Sequence, residues 1–162
     1  MADNDDLQHH DDLDSHVREV QQLLARHKLV EELVHRQEMP RHALVESLVH
    51  KQHIQELTHK LDSLHSADVA HILEALPVDE RLFVWDLVKA ERDGEILLEV
   101  SDAVRESLIE SMDPDSLRAA AEQLDADELA DLAPDLPQAV MEAVYQGLDQ
   151  EEREQLRAAM SY

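Results

Sequence analysis

The chain has no cysteine and only two glycines, and aromatic residues make up 2% of its 162 residues. Without cysteine there can be no disulfide framework and no thiolate metal site. With so little glycine, the chain lacks the turn residues of β-hairpins, and a core poor in aromatic residues must consist of Leu, Val, Ile and Ala. No apolar run approaches the roughly 18 residues that span a bilayer. These absences favour a helical domain that does not itself insert into a membrane.

Basic residues are also scarce. The chain has 14 lysines and arginines against 38 aspartates and glutamates, which gives a formal net charge of −24. Such a charge repels the phosphates of nucleic acids and the surface of anionic membranes, so neither is expected as a partner. Cations and basic surfaces are what this field attracts, and most of the carboxylates serve to keep the protein soluble.

Apolar residues recur at a fixed spacing of twelve through the C-terminal hundred residues. A second apolar residue lies four positions before each of the last eight, which is one turn along one helix face. The twelve-spaced set is Leu64, Leu76, Val88, Val100, Met112, Leu124, Leu136, Leu148 and Met160, and the preceding set is Ile72, Val84, Ile96, Leu108, Ala120, Leu132, Val144 and Leu156. The pattern predicts a string of short helices.

Each predicted helix is too short to bury a face alone, so the helices must stack as an α-solenoid with a repeat of about twelve residues. Helices are expected near 66–76, 78–88, 91–99, 102–111, 114–124, 126–133, 137–147 and 150–160, with no strand. Breaks should fall within about two residues of Pro77, Ser101, Asp113, Asp125, Pro137 and Asp149. The twelve-spaced set should lie in the core, with Leu108 and Leu124 among the most buried residues and Trp85 at least half buried.

The N-terminal part of the chain has a different pattern. Residues 1–14 are polar and acidic and are predicted to be a flexible start, whereas 15–62 form a histidine-containing helical extension interrupted at Pro40. Segment 29–37 resembles segment 44–52, which indicates two similar amphipathic helices. An antiparallel pair is the simplest arrangement and a continuous kinked helix is the alternative. Residues 63–162 then form the repeat domain.

All eleven histidines lie at or before His71. His50 and His53 are three residues apart on a predicted helix, and His59 is six further on. No third histidine or carboxylate completes a diagnostic spacing, so we interpret these side chains as exposed titrating groups rather than a zinc site. The sequence also has no glycine-rich loop or nucleophile elbow, and we expect no enzymatic activity.

The block 125–131, with the sequence DADELAD, carries two carboxylates on one helix face. Asp127 and Asp131 are four residues apart, with no basic residue between them. Mg²⁺ prefers oxygen ligands, keeps several waters and takes only one or two protein carboxylates, so this spacing suits an open magnesium site. The alternative is that Asp125 is an N-cap, that Asp127 favours the helix dipole and that Asp131 is merely exposed.

Five segments together carry a family resemblance: SADVAHILEALP at 66–77, DER at 79–81, EIL at 95–97, the block at 125–131, and REQLRAAMSY at 153–162. They resemble the cytosolic N-terminal domain of MgtE-type magnesium transporters. The resemblance covers residues 60–162 and implies a right-handed superhelix. Family members continue into CBS domains, a plug helix and a membrane channel. We therefore expect this chain to be a cytoplasmic regulatory domain of an inner (plasma) membrane protein.

The resemblance also implies a function in gating. Mg²⁺ would bind between this domain and the CBS domains of the same full-length chain, in a homodimeric transporter, and would favour the closed channel. Low Mg²⁺ would let the acidic surfaces repel each other, and the channel would open. The ligands from this domain would be Asp127, Asp131 and Glu95, and Mg²⁺ would bind weakly because the domain supplies only part of each site.

Two other functions are compatible with parts of the pattern. The flagellar motor switch protein FliG has similar short-helix repeats, and a solenoid of that kind would dock proteins without sensing an ion. A metal-dependent enzyme could use the acidic block, but it would need a pocket and a polarising base for which the sequence gives no signal.

Overall fold

A computed structural model of the chain describes the backbone of residues 2–35 and 41–161 and the side chains of residues 13–29 and 51–161. These residues form helices and contain no strand. The helices are α1 (Ala2–His35), α2 (Arg41–Asp62), α3 (Ser66–Ala75), α4 (Val78–Leu87), α5 (Asp93–Glu99), α6 (Asp102–Ser111), α7 (Pro114–Glu122), α8 (Ala126–Leu132), α9 (Gln138–Gly147) and α10 (Gln150–Met160), with 3₁₀ turns at Ala90–Arg92 and Ala133–Asp135. Within this part of the chain, no helix combines the length and the apolar composition needed to cross a bilayer.

The first of two compact units, the N-terminal unit, comprises residues 1–88. Its helices α1 and α2 are antiparallel, because Glu19 pairs with Lys60 at 2.6 Å while His27 lies beside His53. The predicted antiparallel pair is therefore confirmed, although Pro40 itself lies outside the described residues. Helix α1 begins at Ala2, earlier than the start expected at residue 15. Acidic residues near a helix N-terminus interact favourably with its dipole.

The N-terminal unit also includes the first two helices of the repeat. Helix α3 packs against α1, and α4 packs against α2 and α3. The boundary between compact units therefore follows Val88, whereas the composition of the sequence changes near residue 63. Trp85 on α4 is only 5% exposed, which confirms the prediction that its indole packs in the core.

The C-terminal unit, residues 89–162, shows the stacking that the repeat predicts. Helix α5 packs against α6, α7 and α8, while α7 packs against α9 and α8 against α10. Helices thus contact the second helix along the chain as well as their neighbours. This is the arrangement of an all-α, solenoid-like fold.

The helix breaks fall at six N-cap residues, and the side chains of three of them, Asp113, Asp125 and Asp149, cap the helix that follows. Pro77, Ser101, Asp113, Asp125, Pro137 and Asp149 are all N-cap residues, so the six predicted breaks are confirmed. The Asp113 carboxylate accepts a hydrogen bond from the Ser116 backbone N–H at 2.7 Å, and this bond holds the pKa of Asp113 below its usual value. Asp149 forms a capping box with Glu152.

The core is built mainly from the apolar residues that lie inside the helices. All eight members of the preceding set, which includes Leu108, are at most 2% exposed. The twelve-spaced set is less uniform, since Met112, Leu124 and Leu148 are partly exposed and Met160 is 54% exposed. The expectation that Leu124 is among the most buried residues is therefore wrong. Met112 and Leu148 are C-cap residues just beyond their helices. Other members of the set occupy the same position and are buried, so the packing around each helix end decides the exposure (Leu76, Val88, Val100 and Leu136).

Arginines cap the C-terminal ends of three helices. Arg81, Arg105 and Arg153 each lie four residues after an N-cap. Each Nε donates to the carbonyl oxygen eight residues earlier, at 2.6–3.0 Å. These carbonyls belong to the last turn of the preceding helix, where carbonyl groups lack the usual partner four residues later. The Tyr145 carbonyl oxygen also accepts a hydrogen bond from the Leu148 backbone N–H at 3.2 Å. The cationic side chains also complement the negative end of that helix dipole, so they fix consecutive helices together.

Candidate functional site

The candidate magnesium ligands Asp127 and Asp131 lie on α8, whose start is fixed by a capping box. The Asp125 carboxylate accepts from the Glu128 backbone N–H at 2.9 Å, and the Glu128 carboxylate accepts from the Asp125 N–H at 3.1 Å. Two of the four acidic side chains in the block thus satisfy backbone donors of the first turn. The other two, Asp127 and Asp131, are not needed for this purpose.

Asp127 and Asp131 are exposed and lie one helical turn apart, as the sequence predicts. Neither carboxylate makes a hydrogen bond or an ion pair with another described residue. Asp127 is in the first turn of α8, where the helix dipole favours a negative charge. The arrangement leaves two hydrated carboxylates on one face, and hard divalent cations bind such oxygen ligands.

Glu95 lies in the first turn of α5, a helix that packs against α8, and its side chain is exposed. The structure thus places Glu95 and the Asp127–Asp131 pair on two helices in contact. Over the described residues, however, no three His, Cys, Asp or Glu side chains gather as a group that could hold a metal ion. The described carboxylates therefore do not form a closed cage of metal ligands.

The position of α5 depends on Gly94. A Cβ atom at this residue would lie 2.8 Å from the carbonyl oxygen of Ala120 and 3.0 Å from the Cδ2 atom of Leu124. Its backbone is helical, with no positive φ, so close approach is the reason that glycine is needed at this position. Gly94 therefore lets the start of α5, including Glu95, pack directly against the end of α7.

Asp93 is a group near the candidate site that the sequence pattern did not reveal. Burial raises its pKa to about 7, and the nearby Glu91 carboxylate adds to the shift. Asp93 lies twelve residues after Arg81 and twelve before Arg105, in the repeat position that these arginines occupy. Asp93 could have been identified from the repeat, because it is an acidic residue at a position where other repeats have a half-buried arginine.

A groove in the C-terminal unit, which we call the acidic groove, borders Asp131. Its volume is about 1110 Å³, and it is lined by parts of α6, α7, α8 and the 3₁₀ turn at Ala133–Asp135. Glu106, Glu110 and Asp131 contribute exposed carboxylates to its lining. Ile109 and Leu117 contribute buried apolar side chains. No feature of the linear repeat pattern predicted this groove.

The histidines do not all lie on the exposed surface as expected. His59 is exposed, but His53 is only 8% exposed and His27 only 6%. Their ring centroids are 6.0 Å apart, and His27 stacks on Phe83 at 5.6 Å. The exposed interpretation is wrong for His53 because its helix face packs against α1, and His50 lies outside the residues with described side chains. The paired rings pack as part of the core.

Comparison with curated proteins found no match to this chain. The family described as "MgtE intracellular N domain" matches residues 64–162, which is more than half of the sequence. The matched region begins just before α3 and includes every helix with the twelve-residue repeat, together with Glu95, Asp127 and Asp131. By this match the chain belongs to the family of the MgtE intracellular N domain.

Proposed function

We propose that this chain is a Mg²⁺-sensing regulatory domain of a magnesium transporter or channel. Membership of the family associates the chain with magnesium transport, as an intracellular regulatory domain rather than as a member of a known enzyme family. In the proposal, Asp127, Asp131 and Glu95 provide carboxylate oxygens to Mg²⁺ ions shared with an acidic surface of CBS domains in the full-length transporter. The single observation that carries it is the pair of exposed carboxylates on α8, which have no partner among the side chains that the structure describes.

The negative charge of the domain is the reason that Mg²⁺ would promote its docking against an acidic CBS surface. Residues 101–162 carry sixteen acidic and four basic side chains, a net charge of −12. Two acidic surfaces within a Debye length, about 8 Å at physiological salt, repel each other unless cations lie between them. Mg²⁺ bound by carboxylates from both surfaces removes this repulsion and bridges them. High Mg²⁺ then favours the docked state and a closed channel, and low Mg²⁺ favours separation and opening.

The affinity of the isolated domain should be weak. Each candidate carboxylate is exposed, and the described residues contain no group of three potential ligands. Mg²⁺ would keep most of its waters at such a site, and open divalent sites of this kind have dissociation constants of about 10⁻⁴–10⁻³ M or weaker. Weak binding suits a sensor of an abundant ion, because a tight site would be occupied at all times.

The direct test is the double substitution Asp127→Asn and Asp131→Asn in a full-length transporter that contains this domain. The channel should continue to conduct at Mg²⁺ concentrations that close the parent, measured as current or as Mg²⁺ uptake into vesicles. Far-UV circular dichroism of the isolated domain should be unchanged, because both side chains are at the surface.

The matched control is Glu151→Gln with Glu154→Gln on α10, which removes the same formal charge from two other exposed positions. The control variant should close at nearly the same Mg²⁺ concentration as the parent. If the Asp127/Asp131 variant also closes normally, these residues are only solubilising charge and the site assignment is wrong. If both variants fail to close, the overall negative field matters and the specific site does not.

A further inference from the structure

The acidic groove contains carboxylates that have no charge partner among the residues whose side chains the structure describes. Glu106 and Glu110 are one turn apart on α6, and Asp131 faces the same groove from α8. None of these three side chains makes a hydrogen bond or an ion pair with another residue of the described structure. Glu106, Glu110 and Asp131, which we call the rim of the groove, therefore carry negative charge that no other described residue balances.

Arg105 is the one basic side chain among the described residues that line the groove, and its charge is already used. Its guanidinium donates to the carbonyl oxygens of Leu97 and Leu98, and its Nη1 lies 3.1 Å from an Asp135 carboxylate oxygen. The side chain is 12% exposed. Arg105 therefore holds the wall of the groove in place and neutralises Asp135, but it does not reach the free carboxylates.

Part of the lining of the groove is apolar, and we call this part the floor. It includes Ile109, Leu117 and Leu136, which are 3–7% exposed. A hydrated metal ion or a free polyamine would make no favourable contact with apolar side chains. A partner segment with apolar side chains that contact the floor and basic side chains that pair with the rim would match both parts of the groove.

We propose that the acidic groove binds a basic amphipathic segment of a partner protein, with lysines or arginines against Glu106 and Glu110. Glutamates four residues apart on a helix have Cβ atoms about 5–6 Å apart, a spacing that two basic side chains one turn apart on a bound helix share. Nucleic acid and anionic membranes are excluded as occupants because their charge has the same sign as the rim. The inference does not depend on the proposed Mg²⁺ site, although Asp131 belongs to both.

The test uses the whole 162-residue chain and a fluorescent peptide of roughly 14 residues. The peptide has leucines on one face of a helix and lysines on the opposite face. Binding is measured by fluorescence anisotropy in EDTA at physiological salt. Glu106→Gln with Glu110→Gln should weaken binding about 2- to 30-fold, the effect of two exposed charge pairs. Glu151→Gln with Glu154→Gln, outside the groove, should change it less than about twofold. Amide shifts on peptide binding should concentrate on α6.

A second peptide tests the apolar floor without changing the protein. Replacing the leucines of the probe with glutamines keeps its charge and should abolish most of the binding. The proposal is overturned if the parent does not bind the leucine–lysine peptide, if both protein variants weaken binding equally, or if the polar peptide binds as well. It is also overturned if sedimentation shows that the protein alone dimerises and that the Glu106/Glu110 variant changes this dimerisation, since the occupant would then be a second copy.

Discussion

The two glycines of the chain should respond oppositely to the same substitution. Gly94→Ala places a Cβ atom 2.8 Å from the backbone oxygen of Ala120 and 3.0 Å from a Leu124 methyl carbon. Gly147→Ala places a Cβ atom in nearly open space, where the only near atom is a Glu122 carboxylate oxygen at 4.0 Å. Both glycines lie in helices and neither has a positive φ. The difference between them is therefore one of packing, not of backbone conformation.

The magnitudes follow from two opposing terms. Alanine in place of a helical glycine stabilises a protein by about 0.4–1 kcal/mol, chiefly because the unfolded chain loses freedom. Overpacking a tight contact costs about 1–3 kcal/mol, and a backbone oxygen cannot rotate away as a side-chain tip can. Gly147→Ala should therefore raise the free energy of unfolding by about 0.5–1 kcal/mol. Gly94→Ala should lower it by as much as about 2 kcal/mol.

Urea denaturation followed by far-UV circular dichroism measures both effects. Amide hydrogen exchange adds the location, because residues 93–99 should lose protection in the Gly94 variant while those of α9 should not. Equal stabilisation by the two substitutions would show that α5 does not approach α7 as closely as the structure indicates. Close packing against α7 would then not explain why a glycine precedes Glu95.

Three further perturbations test other parts of the structure. The folded-state pKa of Asp93 is raised from 3.8 to about 7, so the native protein binds more protons than the unfolded chain between these values. The free energy of unfolding should therefore fall as pH rises from about 4 to 7. Urea titrations should show that Asp93→Asn flattens this slope. Leu132→Ala should cost about 2–5 kcal/mol because the side chain is 0% exposed, whereas Leu124→Ala, at a partly exposed position, should cost about 1–2 kcal/mol in the same assay. Arg153→Lys should cost about 1–3 kcal/mol in thermal unfolding, because a lysine cannot make both of the carbonyl hydrogen bonds and the contact over the Tyr145 ring.

Local sequence patterns predict where the short helices begin and which faces they bury. Helix starts depend on residues close together in the chain, such as Asp125 with Glu128, and their capping chemistry can be read without knowledge of the fold. The burial of the preceding set, four positions before the twelve-spaced residues, also follows from local periodicity, because a residue inside a short amphipathic helix has only one face to pack. The carboxylate pair of Asp127 and Asp131 was placed correctly on one exposed helix face for the same reason.

Packing between helices, by contrast, sets which distant residues share an environment. Leu124 occupies a repeat position but lies beyond the end of α7. Its exposed fraction therefore depends on the direction in which the chain continues into α8. His53 was expected on the surface, but the antiparallel approach of α1 buries it beside His27. The acidic groove and the raised pKa of Asp93 likewise arise from packing between helices. Burial, desolvation and concavity depend on distances through space, and the spacing of residues along one helix does not specify those distances.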